Sequence, residues 1–150
     1  EKTVCIGGMI MKLLVIDGQG GKMGRAIVEQ LKKELPEQEI TAIGTNSIAT
    51  STMLKAGADM GATGENPVIF NCKDADIVIG PIGIIAANSL LGEVTPSMAA
   101  GISSSKAVKI LIPINKCNVY VAGIKDLTLS EYVKAAVEQA KELISKKKCQ

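Results

Sequence analysis

Residues 12–35 combine a short apolar run, a glycine-rich turn and a helical pattern, and this succession constrains the fold more than any other feature. The run KLLVID, residues 12–17, ends at a glycine and predicts a buried strand. Four glycines then fall within residues 18–24. Apolar residues follow at helical spacing until Pro36: Met23, Ala26, Ile27, Leu31 and Leu35. The segment therefore predicts a strand, a tight turn and an amphipathic helix.

The glycines suggest a phosphate-binding turn. Gly18 permits the tight turn, Gly20 or Gly21 lets a pyrophosphate approach the backbone, and Gly24 lets the helix pack closely on the strand. The spacing is G-x-x-G-x-x-G or G-x-G-x-x-x-G, and a tight turn without a ligand is the alternative. The cofactor-binding residues predicted here are Gly18, Gln19, Gly20, Gly21, Lys22, Met23 and Gly24.

The rest of the chain alternates strands and helices, which predicts an α/β, Rossmann-like, doubly wound and mostly parallel sheet. Further strands are expected at 39–44, near 58–62, at 76–80 and at 108–112. Short helices are expected at 66–73, at 84–91 and from Thr95-Pro96. Thr128 and Glu131 form a capping box that begins the last helix. NVYVAG, residues 118–123, follows the preceding strand too soon for a parallel neighbour, so we expect an antiparallel edge strand there.

The end of the second strand bears on the choice of nucleotide. NAD-specific folds place an acid about 20 residues after the glycine turn to hold the ribose hydroxyls. Here the segment is GTNS, residues 44–47, without an acid. Thr45, Asn46 and Ser47 could donate hydrogen bonds to a 2′-phosphate, although Asn46 or Ser47 could equally cap the next helix. The absent acid favours NADP over NAD.

Two further loops are predicted at the same edge of the sheet. The turn GPIG, which comprises Gly80, Pro81, Ile82 and Gly83, follows the fourth strand and could approach an anion or simply begin a helix. Asn115, Lys116 and Cys117 follow the fifth strand. Lys116 could lower the pKa of the Cys117 thiol, so these two residues are the catalytic candidates, with an inert packed cysteine as the alternative.

Two resemblances add to this interpretation. GQGGKMGRAI resembles the cofactor loop of dihydrodipicolinate reductases, with Lys22 where that family has an arginine. The resemblance implies pyridine-nucleotide binding, and the catalytic segment of those enzymes has no counterpart here. From Met11 onward the chain resembles a family of short bacterial Rossmann-like proteins of unassigned function, through VIDGQGG, GTNSIATS, KAGAD, ATGEN, IGPIGII and NKCNV.

Composition restricts the remaining possibilities. A net charge of +2 without a basic helix argues against nucleic-acid binding, and no apolar run approaches the roughly 18–20 residues of a membrane span. The chain has no histidine and no C-x-x-C pair, so no metal site is predicted. Four scattered cysteines fit reduced thiols and a cytoplasmic location.

Domain organisation and assembly follow from the same patterns. Residues 11–150 are expected to form one domain, and residues 1–10 an upstream extension or cloning remnant. The aliphatic stretch 82–98 exceeds what one face of a small sheet usually needs, which predicts a homodimer built partly from residues 84–102, with a core helix as the alternative.

The function predicted from the sequence is therefore dinucleotide binding, NADP(H) first, by a small reductase or a reductase subunit. Two alternatives stay open at this point. One is a non-enzymatic nucleotide-dependent sensor or assembly protein, and the other is a binder of another phosphorylated ligand such as coenzyme A.

Overall fold

A computed structural model describes residues 10–114 and 118–149 and shows an α/β architecture with one parallel sheet. The strands are β1 (Leu13–Asp17), β2 (Ile40–Gly44), β3 (Met60–Thr63), β4 (Ile77–Pro81) and β5 (Val108–Ile112). The helices are α1 (Lys22–Glu34), α2 (Ser47–Lys55), α3 (Glu65–Cys72), α4 (Pro96–Ser103) and α5 (Leu129–Lys148). A 3-10 helix occupies Ile82–Ile85. The predicted Rossmann-like doubly wound fold is confirmed.

The strand order is β3-β2-β1-β4-β5, and all four pairings are parallel. The direction of winding therefore reverses between β1 and β4, the point at which open α/β sheets bind ligands. All residues of β1 are buried because the sheet is covered on both faces. Helices α1, α2 and α5 pack on one face, and α3, α4 and the segment between β4 and α4 pack on the other.

Most predicted helix ends are confirmed. The Asn46 side chain accepts a hydrogen bond from the Ala49 N–H and caps α2. Thr95 caps α4 with Pro96 in the first turn, and Thr128 with Glu131 forms the capping box of α5. Leu129, the first residue of α5, is 37% exposed.

The predicted antiparallel edge strand at 118–123 is wrong. Residues 118–128 form no strand in the structure, and Asn118 and Gly123 have φ of 53° and 77°, which interrupts extended backbone. Val119, Tyr120 and Val121 are exposed, so their preference for strands finds no buried face to pack against. The sheet is parallel throughout.

The predicted helix at 84–91 is also wrong, because the chain makes only the 3-10 helix and then a series of turns. Asn88, Leu90 and Leu91 have φ of 63°, 55° and 57°, which a right-handed helix does not allow. We call residues 86–95 the cover loop. Its two ends are joined by a hydrogen bond of 2.7 Å from the Asn88 N–H to the Val94 carbonyl.

The aliphatic stretch that motivated the homodimer is largely used inside the chain. Ile84, Leu90, Val94 and Met98 are buried in the core on the α3–α4 face, whereas Leu91 is 96% exposed. The burial agrees with the alternative of a core location, but most of the stretch is a loop and not the core helix that this alternative described. The homodimer stays a prediction. Within the two described ranges, no helix has the length and apolar character that crossing a bilayer requires.

Candidate functional site

The glycine turn lies at the carboxyl end of β1, beside the switch point. It borders a small cleft of about 150 Å³, whose lining consists of Asp17, Gly18, Gln19, Gly20, Gly21, Lys22, Met23, Pro81 and Leu90. Six of the seven loop residues predicted from sequence, 18–23, therefore line one cleft. Pro81 reaches it from β4, so the structure brings the two predicted glycine turns to one place.

Three of the four glycines in the turn are explained by the fold itself. A Cβ on Gly18 would lie 2.5 Å from Thr45 Oγ1, and one on Gly24 would lie 2.5 Å from Met53 Sδ. Gly21 has a φ of +75°, and its Cβ would lie 2.9 Å from the Ala49 Cα. Gly24 thus packs the helix closely, as predicted, and does not line the cleft.

Gly20 is different from these three. A Cβ there would meet nothing within 4 Å, and its φ lies outside the left-handed region. Neither packing nor backbone conformation explains why this position lacks a side chain. Gly20 is exposed at the edge of the cleft, so the absent side chain leaves the backbone accessible from solvent.

Asp17 also lines the cleft, and the sequence interpretation did not include it in the site. Its carboxylate accepts hydrogen bonds from the Gly18 N–H at 2.8 Å and from the Gly24 N–H at 2.7 Å. The second of these bonds satisfies a free N–H group in the first turn of α1. Burial raises the pKa of Asp17 above its ordinary value, and the two backbone N–H groups limit that rise. An acid that ends a buried strand just before a glycine turn was the available signal.

Glu93, in the cover loop, is the second missed residue. Its carboxylate accepts hydrogen bonds from the Gln19 N–H at 3.1 Å, from Thr45 Oγ1 at 2.9 Å and from Asn46 Nδ2 at 2.5 Å. Partial burial acts to raise the pKa of Glu93, but the hydrogen bonds from Asn46, Gln19 and Thr45 have the larger combined effect. The pKa of Glu93 therefore lies below its ordinary value. Nothing local in the sequence associates Glu93 with residues that lie 47 and 74 positions earlier.

Thr45 and Asn46 thus lie where the sequence places them, beside the glycine turn, but both already bind an anion. Asn46 also donates to the Gln19 carbonyl at 2.9 Å while its oxygen caps α2. The structure therefore confirms that Asn46 caps α2 through its side-chain oxygen. Its Nδ2 group is the part that donates to Gln19 and Glu93. These two residues and the Gln19 N–H form one convergent set of donors.

The second predicted turn is packed against the protein. Gly80 and Gly83 are buried, and a Cβ on Gly80 would lie 2.3 Å from the Ile16 carbonyl oxygen. A Cβ on Gly83 would lie 3.2 Å from Ser89 Oγ, and Ile82 is half-buried. Of the four residues predicted in this turn, Pro81 alone is among the residues that line the cleft.

The remaining candidates concern the loop after β5 and the thiols. Asn115, Lys116 and Cys117 lie outside the described residues, as does Cys5, so their prediction stands untested. Cys72 and Cys149 are free thiols. Burial raises the pKa of Cys72 to about 11, which makes it an unreactive core residue.

Comparison with known proteins concerns the chain as a whole. No curated protein and no solved structure matches it. One protein family does match, over residues 12–145, and thus over nearly all of the sequence. This match agrees with the predicted resemblance to a short family without an assigned function. The chain belongs to the family described as Domain of unknown function (DUF3842).

Proposed function

We propose that this protein binds a pyridine dinucleotide, NADP(H), with the pyrophosphate at residues 18–23. The observation that carries the proposal is Gly20, whose lack of a side chain the fold does not require. A pyrophosphate needs bare backbone at the amino end of a helix, where N–H groups and the helix dipole favour an anion. Gly20 lies immediately before that helix end and faces open space.

The position of the turn in the sheet supports the same proposal. The turn follows β1, next to the β1–β4 switch point, and a dinucleotide lies across this crevice in folds of this class. Lys22 is exposed in the first turn of α1, where a cation is unfavourable for the helix alone. A phosphate between Lys22 and the helix end gives this lysine a favourable partner.

The donors beyond the glycine turn favour the 2′-phosphate of NADP(H). Thr45, Asn46 and the Gln19 N–H converge on a single carboxylate, that of Glu93. Groups that hold one anion in this geometry can hold a phosphate with charge-assisted hydrogen bonds of the same kind. Residues 44–47 contain no acid, but the fold brings the Glu93 carboxylate to Thr45 and Asn46. Because a carboxylate at this position could also hold the ribose hydroxyls of NADH, titration must compare NADPH directly with NADH.

The proposal concerns nucleotide binding and assigns no catalytic residue. The loop's resemblance to dihydrodipicolinate reductases supports a pyridine nucleotide but brings no catalytic residue with it. Among the described residues that line the cleft, the ionisable side chains are Asp17 and Lys22, and the Asp17 carboxylate is occupied by backbone N–H groups. A nucleotide-dependent sensor is the second candidate function, which the cover loop across the site favours.

Calorimetric titration of the whole chain with NADPH, NADH and coenzyme A tests the proposal. We expect NADPH to bind, and Lys22→Ala to weaken it about tenfold, or about 1.4 kcal/mol. Lys33→Ala is the matched control, because Lys33 lies in the last turn of the same helix, far from the glycine turn, and should leave affinity unchanged. Preferred binding of coenzyme A would redirect the proposal to that ligand.

Gly20→Leu is the second variant, and we expect no measurable NADPH binding because its side chain fills the space for the pyrophosphate. Gly21 is unsuitable for this purpose, since its φ and its contact with Ala49 make any substitution a test of folding. Circular dichroism should show that Gly20→Leu folds normally. Unchanged NADPH affinity in both Lys22→Ala and Gly20→Leu would contradict the proposal.

A further inference from the structure

The cover loop lies across the site that the proposed ligand needs. A Cβ on Gly18 would lie 2.8 Å from Leu90 Cδ1 and 3.5 Å from Glu93 Oε1, and the Glu93 carboxylate also binds Gln19, Thr45 and Asn46. The cleft that remains has about 150 Å³. Sites for larger organic ligands measure about 300–1,000 Å³, so the cover loop leaves a cleft smaller than such a site in this conformation.

The tip of the cover loop has a strained backbone. Leu90 and Leu91 both have left-handed φ values, of 55° and 57°, which leucine rarely adopts. The Leu91 side chain is 96% exposed, so burial of its own side chain does not offset this conformation. Backbone strain of this kind persists only where other contacts hold it, and it is concentrated at functional segments.

Backbone hydrogen bonds within the loop hold Gly92 and Glu93 to residues 88–90, and the Glu93 carboxylate and Leu90 join the tip to the glycine turn. Val94 and Ser89 anchor the base, because both are buried and the Ser89 hydroxyl donates to the Gly83 carbonyl. Burial, and to a smaller extent repulsion from the Glu93 carboxylate, raise the pKa of Asp17. The tip can therefore move on this base with release of backbone strain.

We propose that residues 90–93 are a latch, in which the Glu93 carboxylate takes the place of the ligand's 2′-phosphate and keeps the groove closed. Entering NADP(H) displaces the carboxylate from Gln19, Thr45 and Asn46, and Leu90 gives up part of its core packing as it leaves Gly18. The latch rests on the proposed function, since its ligand is the nucleotide proposed above. It makes binding and loop opening one event, as a nucleotide sensor requires.

A competing function for Glu93 gives the opposite result. If its carboxylate held the ribose hydroxyls of NADH, removing it would weaken NADH binding. If it is a latch, removing it frees the donors and tightens NADPH binding. The sign of the change therefore distinguishes the two functions without any assumption about catalysis.

The experiment compares the parent protein with Glu93→Ala, Glu93→Gln and the control Glu142→Ala, an exposed glutamate on α5. In calorimetric titration we expect Glu93→Ala to bind NADPH about tenfold more tightly and NADH with a smaller gain. Glu93→Gln should lie between Glu93→Ala and the parent, and Glu142→Ala should match the parent. Unchanged or weaker NADPH binding in Glu93→Ala, or weaker NADH binding, would overturn the latch.

Hydrogen exchange of the ligand-free proteins provides a readout that needs no nucleotide. We expect the amides of Gln19 and residues 90–93 to exchange about tenfold faster in Glu93→Ala than in the parent or Glu142→Ala. Equal rates would overturn the latch. If neither nucleotide bound any variant while exchange was faster in Glu93→Ala, the proposed function would be contradicted. The result would still show that the Glu93 carboxylate holds residues 90–93 against the glycine turn.

Discussion

Two glycine turns of similar composition end neighbouring strands at one edge of the sheet, and they serve different purposes. In residues 80–83, both glycines face the protein's own atoms, and Gly80 is close-packed against the backbone of β1. In residues 18–24, Gly18, Gly21 and Gly24 do the same, but Gly20 faces solvent with nothing within 4 Å. A glycine therefore suggests a ligand only where a Cβ would meet no atom of the protein and the backbone conformation would accept one.

Gly80→Ala should have the largest effect on stability, because its Cβ would lie 2.3 Å from the Ile16 carbonyl oxygen, a backbone atom that cannot turn aside. We expect the free energy of unfolding to fall by about 3 kcal/mol or more, as measured by urea denaturation. Gly61→Ala is the control, since its closest contact is the end of the half-exposed Leu54 side chain, which can move. Equal effects of the two variants would show that the turn after β4 has room to adjust.

Ser89→Ala should have an intermediate effect, and it tests how the turn after β4 holds the base of the cover loop. The buried Ser89 hydroxyl donates to the Gly83 carbonyl, which also accepts from the Ala86 N–H. Because that carbonyl keeps one donor, we expect a loss of about 1 kcal/mol in the same measurement. Ser97→Ala, on the exposed side of α4, should change stability by less than about 0.5 kcal/mol.

Gly20→Ala should have the smallest effect on stability and thus complete the comparison. The new methyl group meets no neighbour, so the free energy of unfolding should change by no more than about 0.5 kcal/mol, or rise slightly because the unfolded chain loses freedom. A loss above about 1 kcal/mol would place Gly20 with the structural glycines and remove the main support for the ligand.

The parallel core and most helix ends could be predicted from the sequence because their signals are local. Buried strands have continuous aliphatic runs, and Asn46, Thr95 and Thr128 cap helices with their own side chains. The segment 84–91 was predicted as a helix because its apolar residues suit one. It is held instead by left-handed turns and by burial of Leu90 and Val94, which depend on distant parts of the chain.

The site shows the same division between local and distant causes. Residues 18–23 could be placed at the cleft because the strand, turn and helix that form it are contiguous. Glu93 could not, because its partners Gln19 and Asn46 lie on other elements and meet it only in the folded sheet. The antiparallel strand at 118–123 failed for a related reason: strand preference has no effect where no partner face is available.

The distance along the chain between Asn46 and Glu93 has a consequence during synthesis. Asn46 leaves the ribosome 47 residues before the carboxylate that binds it, and Gln19 in the glycine turn leaves it 74 residues before. At about 5–20 residues per second, translation of the shorter interval takes roughly 2–10 s. In a nascent chain, the segments that form β1 to β3 and the glycine turn are therefore made before their internal competitor, and the proposed nucleotide, if present at that time, meets donors that no carboxylate yet occupies.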